Sequence, residues 1–214
     1  MATATNKEDC IKRHIDYAHD TEKGNLTNSI QMSRVNWMAS QIPAGCKALD
    51  VGCNSGSMAR LVQAEWHGVD VSLHLVNEAN KVMRAQVAEA ENLPFPDNEF
   101  DVVVLGEILE HVFSPEDVMD EAVRVSKGTV IGTTPHELGR WGTTRAAWHP
   151  VDTHAEHVRC FTRETLSELL NKYSNEFTIG NLPGGTKRPD FYYFTLTVKD
   201  KWKCIKRKQR TLFY

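Results

Sequence analysis

The sequence predicts a doubly wound α/β sheet, mostly parallel, with an antiparallel hairpin at its C-terminal end. Short apolar runs alternate with helix-like segments through most of the chain, and strands separated by helices pair in parallel. The run DVVVL is the strongest strand of the series. Near the C-terminus, only the turn LPGGTKRP separates EFTIGN from DFYYFTLTV, and so short a connection favours one antiparallel strand in the same sheet.

The predicted strands are short runs rich in β-branched, apolar or aromatic residues, bounded by turn-forming residues. RAQVA is the weakest of them, and the loop ENLPFPDNEF leads from it into DVVVL. The small-residue turn GCNSGS follows the first strand. In chain order, the seven strands are CKALDV, WHGVDV, RAQVA, DVVVL, GTVIGTT, EFTIGN and DFYYFTLTV.

The predicted helices are recognised by apolar spacing and by capping residues. Residues 1 to about 26 are polar and lack clear periodicity, whereas the next segment is amphipathic and is closed by Pro43. Ser72 can cap a helix, Thr162 starts another, and Ser114 with Pro115 gives an N-cap followed by proline at the first helical position. The predicted helices are Leu26–Ser40, about Met58 to Glu65, Ser72 to about Arg84, Ser114 to about Val125, and Thr162–Tyr173.

Composition indicates one globular domain with small additions. We expect a helical lead-in and substrate cover over residues 1–41, a central domain over 42–198 and a basic tail over 199–214. The chain of 214 residues has a net charge of −3, so its whole surface is not a nucleic-acid footprint. Its five cysteines form no CxxC pair, which predicts a reducing, cytoplasmic location, and no apolar stretch is long enough to predict secretion or a membrane span.

The turn after the first strand is a candidate ligand site. In a doubly wound sheet, ligands bind beyond the carboxyl ends of the strands, where the strand order reverses. Gly52 and Gly56 allow close approach of the backbone to a ligand, and Asp70 ends the next strand 20 residues after Asp50, where a carboxylate can hold ribose hydroxyls. The glycine spacing does not fit a dinucleotide fingerprint, and a lone glycine turn is often only a tight strand-to-helix corner.

Five stretches, in this order and spacing, resemble the class I S-adenosylmethionine-dependent methyltransferases: LDVGCNSG, GVDVS, AEAENLPFPDNEFDVVVL, GEILEHV and the later TTP. The resemblance extends from about Cys46 to Val198. It implies a Rossmann-like, seven-stranded sheet with a reversed last hairpin, and S-adenosylmethionine as the cofactor.

The resemblance also implies which residues surround the cofactor. The first turn would line its methionine end, Asp70 would hold the ribose, the segment AEAENLPF would edge the adenine, and the backbone at Gly106 would complete the pocket. Asn54 stands where the family usually has glycine, and Glu89 stands where aspartate is common. The implied residues are Asp50, Gly52, Cys53, Asn54, Gly56, Asp70, Val71, Glu89, Ala90 and Gly106.

The stretch GEILEH gathers two carboxylates and an imidazole at the end of the strand DVVVL. If one helical turn follows Leu105, then Glu107, Glu110 and His111 lie on one face. Three interpretations remain open. The side chains could hydrogen-bond neighbouring loops, His111 could act with Glu110 as a general base on a hydroxyl, or the cluster could bind a divalent cation.

The cation interpretation gains from a second stretch, HPVDTHAEHVRCFT. It offers further ligands on the loop expected above the same pocket, namely His149, Asp152, His154, Glu156 and His157. Carboxylates with imidazoles suit Mg²⁺, Mn²⁺, Fe²⁺, Co²⁺ or Zn²⁺. The combination resembles the ubiquinone-biosynthesis O-methyltransferase-like group and the small-RNA 2′-O-methyltransferases. This resemblance implies a ligand set of Glu107, Glu110, His111 and His157.

The acceptor is the least determined part, because this fold hosts many substrates. The loop after the fifth strand carries two tryptophans and two arginines that could form an aromatic, anion-binding floor or could simply pack the loop: Arg140, Trp141, Arg145 and Trp148. The acidic net charge favours O-methylation of a small hydroxylated molecule. RNA ribose 2′-O-methylation is the alternative, supported only by Lys187, Arg188 and the basic run Lys199–Arg210. A non-catalytic, cofactor-binding partner subunit is a third possibility.

Overall fold

The computed structural model describes residues 6–20, 29–137, 157–183 and 189–198. Within these ranges the chain forms one seven-stranded sheet in the order β3-β2-β1-β4-β5-β7-β6, and β7 runs antiparallel to both of its neighbours. The predicted doubly wound sheet with a reversed C-terminal hairpin is therefore confirmed. The strands are β1 Lys47–Val51, β2 Glu65–Asp70, β3 Arg84–Val87, β4 Phe100–Gly106, β5 Ser126–Pro135, β6 Phe177–Pro183 and β7 Pro189–Thr197.

Helices cover both faces of the sheet. Apolar residues of α2 and α3 pack against one face, and those of α4 and α5 pack against the other. The strand β4 is buried from both sides, which explains its continuous apolar sequence. The helices of the described residues are α1 Lys7–Asp20, α2 Ser29–Ser40, α3 Leu73–Ala79, α4 Pro115–Val125 and α5 Arg163–Asn171. None of them is both long and apolar enough to cross a membrane.

Three predicted helix starts are confirmed by their capping hydrogen bonds. The side-chain oxygens of Ser72, Ser114 and Thr162 each accept a hydrogen bond from the main-chain N–H three residues later. These bonds satisfy amide groups that have no partner inside the helix. These bonds therefore fix where the helices begin after β2, after residues 107–113 and after residues 157–161.

The predicted helix over Met58–Glu65 is wrong. Only a 3₁₀ turn, Met58–Arg60, forms there, because Glu65 N already donates to Cys46 O at 2.8 Å and pairs with Lys47 as the first residue of β2. The helix after Ser72 is also shorter than predicted. It ends at Ala79, where the Asn80 side chain bonds both the N–H and the carbonyl of Ala85 and turns the chain into β3.

The first helix, α1, was not predicted, because its segment is polar and its apolar stripe is narrow. Several other predictions fall outside the described residues. These are the basic tail, Lys187 and Arg188, the aromatic and arginine residues at 140–148, and the candidate ligands from His149 to Glu156.

The strand order places the candidate site. It reverses between β1 and β4, the two strands at the centre of the sheet, and all strands but β7 point the same way. The turns after β1 and β4 therefore meet at one edge, where doubly wound folds bind their ligands.

Candidate functional site

A cavity lies at the carboxyl ends of β1, β2 and β4, beneath α1. Of the residues implied by the sequence, six line this cavity: Gly52, Asp70, Val71, Ala90, Glu107 and His111. The helix α1 contributes Cys10, Ile11 and His14 from the opposite side. The cavity is therefore formed by the sheet edge and by a helix from the N-terminal segment.

The turn after β1 needs backbone conformations that favour glycine. Gly52 has φ +74° and Gly56 has φ +80°, both in the left-handed region. A Cβ atom at Gly52 would lie 2.8 Å from Ile108 Cδ1, so Ile108 would have to shift to admit a side chain. Asn54 replaces the usual glycine at φ +49°, a conformation that asparagine tolerates, and its side chain accepts a hydrogen bond from Ser55 N at 2.7 Å.

Asp70 is buried at the end of β2, with 3% of its surface exposed. Its two carboxylate oxygens accept hydrogen bonds from Asn54 N at 3.0 Å and from Ser72 N at 2.9 Å. His14 Nε2 of α1 lies 3.6 Å from Asp70 Oδ1. A carboxylate has about four acceptor positions, so two fixed backbone bonds orient it and still leave capacity for hydroxyls in the cavity.

The stretch GEILEH does not form the predicted helical turn. The strand β4 continues to Gly106, and Glu107 then adopts φ +56°, which a right-handed helix cannot include. Glu107 N donates to Thr133 O at 3.0 Å, so the backbone of Glu107 continues the hydrogen bonding between β4 and β5. His111 N donates to Ile108 O at 3.0 Å and closes an irregular turn, for which we use the name 107–113 turn.

Two carboxyl groups are buried in this turn. Glu110 is 1% exposed, and its Oε2 accepts a hydrogen bond from Thr134 Oγ1 at 3.2 Å. Glu110 Oε1 and Glu107 Oε1 are buried and accept no hydrogen bond from any described residue. Burial raises the pKa of both carboxyl groups, and the charge of Glu107 raises that of Glu110 further. The arrangement is thus unfavourable for two negative charges without a neighbouring cation.

His157 lies against the same turn. Val158 N donates to Glu110 O at 2.9 Å, and the ring centroids of His157 and His111 are 4.6 Å apart. The side-chain ligand atoms of Glu110, His111 and His157 all lie within 4.8 Å of one another. Glu107, the fourth residue of the predicted set, lies outside this group and faces the cavity.

Comparison with known proteins agrees with the fold. Residues 49–131 match the methyltransferase domain family. A S-adenosylmethionine-dependent methyltransferase of Thermotoga maritima, described as a possible histamine N-methyltransferase, superposes with a TM-score of 0.70 at 20% identity, covering 88% of this chain and 99% of that one. The chain contains a class I S-adenosylmethionine-dependent methyltransferase domain.

Two curated relatives of this methyltransferase domain differ in the atom they methylate. A ubiquinone biosynthesis O-methyltransferase of Thiobacillus denitrificans is 34% identical over 112 residues, covering 47% of this chain and 48% of the relative. A sarcosine/dimethylglycine N-methyltransferase of Aphanothece halophytica is 35% identical over 116 residues, covering 47% and 40%. The chain spans about half the length of such curated relatives. Their similarity therefore supports the domain, and their names include both an oxygen and a nitrogen as the methylated atom.

Some residues that the sequence implied for the methyltransferase pocket lie beside the cavity and not in its wall. Cys53, Asn54 and Gly56 shape the first turn, and a Cβ atom at Gly106 would meet Met38 at 3.1 Å. Glu89 is directed outward, where it forms an ion pair of 2.6 Å with Lys7 of α1. In this structure Glu89 therefore forms an ion pair with the N-terminal helix and does not line the cavity. Its neighbour Ala90 faces the cavity.

Two side chains near the methyltransferase pocket were missed by sequence analysis. His14 reaches the cavity from α1, and no periodic pattern identified that helix. Arg34 of α2 has a buried Nε that makes no hydrogen bond within the described part of the chain. Its positive charge acts on the carboxyl groups of Asp50 and Glu107. Only the packing of α2 over the sheet reveals this proximity, because more than ten residues separate Arg34 from either carboxylate in sequence.

Asp50 should make the stability of the methyltransferase domain depend on pH. Burial, and then the nearby charge of Asp70, raise the pKa of Asp50 to about 7, against the opposing effect of Arg34. An unfolded aspartate titrates near pH ~4. The folded state therefore holds the proton more tightly, and this stabilisation is complete below pH ~4 and is lost as pH rises to about 7.

The substitution Asp50→Asn tests this dependence, because an amide does not titrate. We expect the variant to gain stability relative to the parent by at most about 1.4 kcal/mol per pH unit as pH rises from 4 to 7, with no further gain above that range. Denaturant unfolding of both proteins at several pH values measures the difference in free energy of unfolding. A difference that stays constant from pH 4 to 7 would show that folding does not raise the pKa of Asp50.

Proposed function

We propose that this protein transfers a methyl group from S-adenosylmethionine to a hydroxyl group of a small hydroxylated molecule, assisted by a divalent cation. The observation that carries the proposal is the position of the acid–imidazole cluster. Glu107 and His111 face the cofactor cavity, and Glu110 and His157 adjoin them. A reacting hydroxyl held at this cluster would therefore be next to the cofactor.

The cavity residues fit S-adenosylmethionine. Asp70, oriented by two backbone bonds, suits the ribose hydroxyls, and the left-handed turn at Gly52 brings backbone close to the methionine end. Ala90 gives an apolar edge for the adenine, and the half-buried Arg34, whose Nε is buried, offers a positive charge for the carboxylate end of the cofactor. When bound, the cofactor supplies an electrophilic methyl group on its sulfonium.

The cluster fits a divalent cation. Two buried carboxylate oxygens, one on Glu107 and one on Glu110, lack hydrogen-bond donors among the residues described, and His111 and His157 offer ring nitrogens. We propose Glu110, His111 and His157 as ligands, with Glu107 as the adjoining second carboxylate. A bound Mg²⁺, Mn²⁺, Fe²⁺, Co²⁺ or Zn²⁺ would favour the deprotonated form of an acceptor hydroxyl. Without a cation, His111 assisted by Glu110 is the candidate general base.

The acceptor is proposed to be small because the chain carries a net charge of −3, which disfavours a nucleic acid. The similarity to ubiquinone biosynthesis O-methyltransferases supports a hydroxyl as the accepting group. The basic run Lys199–Arg210 keeps RNA ribose methylation as the second candidate.

The five cysteines without a CxxC pair support a cytoplasmic location.

Removing the Asp70 carboxylate should weaken cofactor binding. We expect Asp70→Ala to reduce the affinity for S-adenosylmethionine and for its demethylated product by about 1–3 kcal/mol, because hydrogen bonds to a buried charged group are lost. Titration calorimetry measures this change directly. Asp117→Ala, which removes an exposed carboxylate from the first turn of α4, is the matched control and should bind like the parent. Equal affinity in both variants would remove Asp70 from the site.

A further inference from the structure

The side chain of Arg159 links the residues that follow His157 to the 107–113 turn through hydrogen bonds. Nη1 of Arg159 donates hydrogen bonds to the carbonyl oxygens of Leu109, at 2.9 Å, and of Val112. Nη2 of the same guanidinium donates to Phe113 O at 2.7 Å. One side chain therefore holds three carbonyl groups of the turn.

The turn needs such a donor because of its shape. With Glu107 in the left-handed conformation, the residues that follow do not enter a helix, so their carbonyl groups are not satisfied by a regular backbone pattern. Arginine presents five N–H donors in a rigid planar fork, which lets one group serve three acceptors. Lysine carries one flexible ammonium and cannot reproduce this geometry.

The same contacts hold together the two chain segments that carry the proposed cation ligands. Glu110 lies inside the stretch that Arg159 holds, and its carbonyl accepts a hydrogen bond from Val158 N at 2.9 Å. His157 precedes Val158 directly, and its ring lies 4.6 Å from that of His111. A shift of Arg159 would therefore change the distance between His157 and the two ligands on the turn.

We propose that Arg159 is a positioning residue for the Glu110–His111–His157 cluster. It sets the separation of the two chain segments that carry the ligands, and it does not itself contact the acceptor or the cofactor. The inference rests on the cation site of the proposed function. Partners outside the ligand shell commonly change metal affinity by about 10–100-fold when they are removed.

Titration of the full chain with Co²⁺ tests the inference, with the visible absorption of the bound ion as the signal and Mn²⁺ as a competitor. We expect Arg159→Ala and Arg159→Lys each to bind Co²⁺ about 10–100-fold more weakly than the parent. Arg163→Ala is the matched control, because Arg163 also donates to a carbonyl, Ile179 O at 3.0 Å, but does not touch the turn. His157→Ala gives the response of a cluster that lacks one ligand.

Calorimetry with S-adenosylhomocysteine on the same variants separates positioning from general damage. A positioning role predicts weaker Co²⁺ binding with cofactor-product affinity within about 2-fold of the parent, a change of less than ~0.5 kcal/mol. In the His157→Ala background, Arg159→Ala should cause little further loss, because the two act on one cluster. Arg163→Ala should resemble the parent in both titrations.

Each other outcome has a distinct meaning. Parent-like Co²⁺ affinity in Arg159→Ala and Arg159→Lys, with weak binding in His157→Ala, would overturn the role of Arg159 and leave the cation site standing. Loss of the whole fold in both Arg159 variants would also overturn it, because Arg159 would then support the domain and not the cluster. A parent chain whose Co²⁺ signal equals that of His157→Ala would refute the cation site and the inference together.

Discussion

Removing divalent cations is expected to abolish methyl transfer while leaving cofactor binding nearly intact. The cation would be held by Glu110, His111 and His157, whose ligand atoms lie within 4.8 Å of one another, whereas the ribose would be held by Asp70. A chelator should therefore stop turnover, and added Mn²⁺ or Mg²⁺ should restore it. His157→Ala should behave like the chelated enzyme, with a loss of at least about 100-fold in rate. Rates of label transfer to the best acceptor, measured with and without chelator, check this result.

A control variant and the rival mechanism make the result specific. His74→Ala removes an exposed histidine from α3, away from the cluster, and should keep its activity and its response to chelator. If His111 acts as a general base without a cation, chelator is harmless, His111→Ala is inactive and His157→Ala is only mildly impaired. Full activity in chelator, with no metal found by elemental analysis, would therefore refute the cation and leave His111 as the base.

Gly52→Val is expected to cost about 1–3 kcal/mol of cofactor affinity. A side chain at φ +74° is strained, and its Cβ atom would lie 2.8 Å from Ile108 Cδ1 in the cavity wall. Relief of this contact displaces the glycine turn or Ile108, and both of them line the cavity. Calorimetry with S-adenosylhomocysteine measures the loss.

Gly45→Val is a matched control for that substitution. Gly45 has φ +77°, almost the same backbone strain, but a Cβ atom there meets no atom within 4 Å and the residue lies outside the cavity. It should lower stability in the same way and leave cofactor affinity unchanged. Equal cofactor affinity in the two variants would show that the turn at Gly52 is not part of the binding site.

The sheet was predictable because its signals are local. A strand such as β4 is apolar on successive residues, and Ser72, Ser114 and Thr162 each satisfy an amide three residues away. The predictions fail where a tertiary contact determines the local backbone structure. The segment after Met58 resembles a helix in sequence, but pairing of Glu65 with β1 makes it enter a strand instead.

The site was predictable in its residue types and not in its geometry. A left-handed glutamate is uncommon, so the spacing of Glu107, Glu110 and His111 pointed to a helical turn that does not form. Conversely, no pattern marks Arg34, and Arg159 stands in the stretch HPVDTHAEHVRCFT without a predicted role, since the importance of both depends on carboxylate and carbonyl groups that are distant in sequence. Charges and main-chain acceptors brought together by folding are the part that sequence spacing alone does not show.

Methyl transfer itself is tested most directly with S-adenosylmethionine labelled in its methyl group. The purified chain would be incubated with Mn²⁺ and, separately, with catechols, sugars, cell lipids and RNA. We predict that label enters a small hydroxylated acceptor, that Gly52→Val reduces this signal strongly, and that RNA remains unlabelled. Label found only in RNA ribose would contradict a small-molecule acceptor. No label in any acceptor, together with tight cofactor binding, would contradict catalysis and leave a cofactor-binding partner subunit.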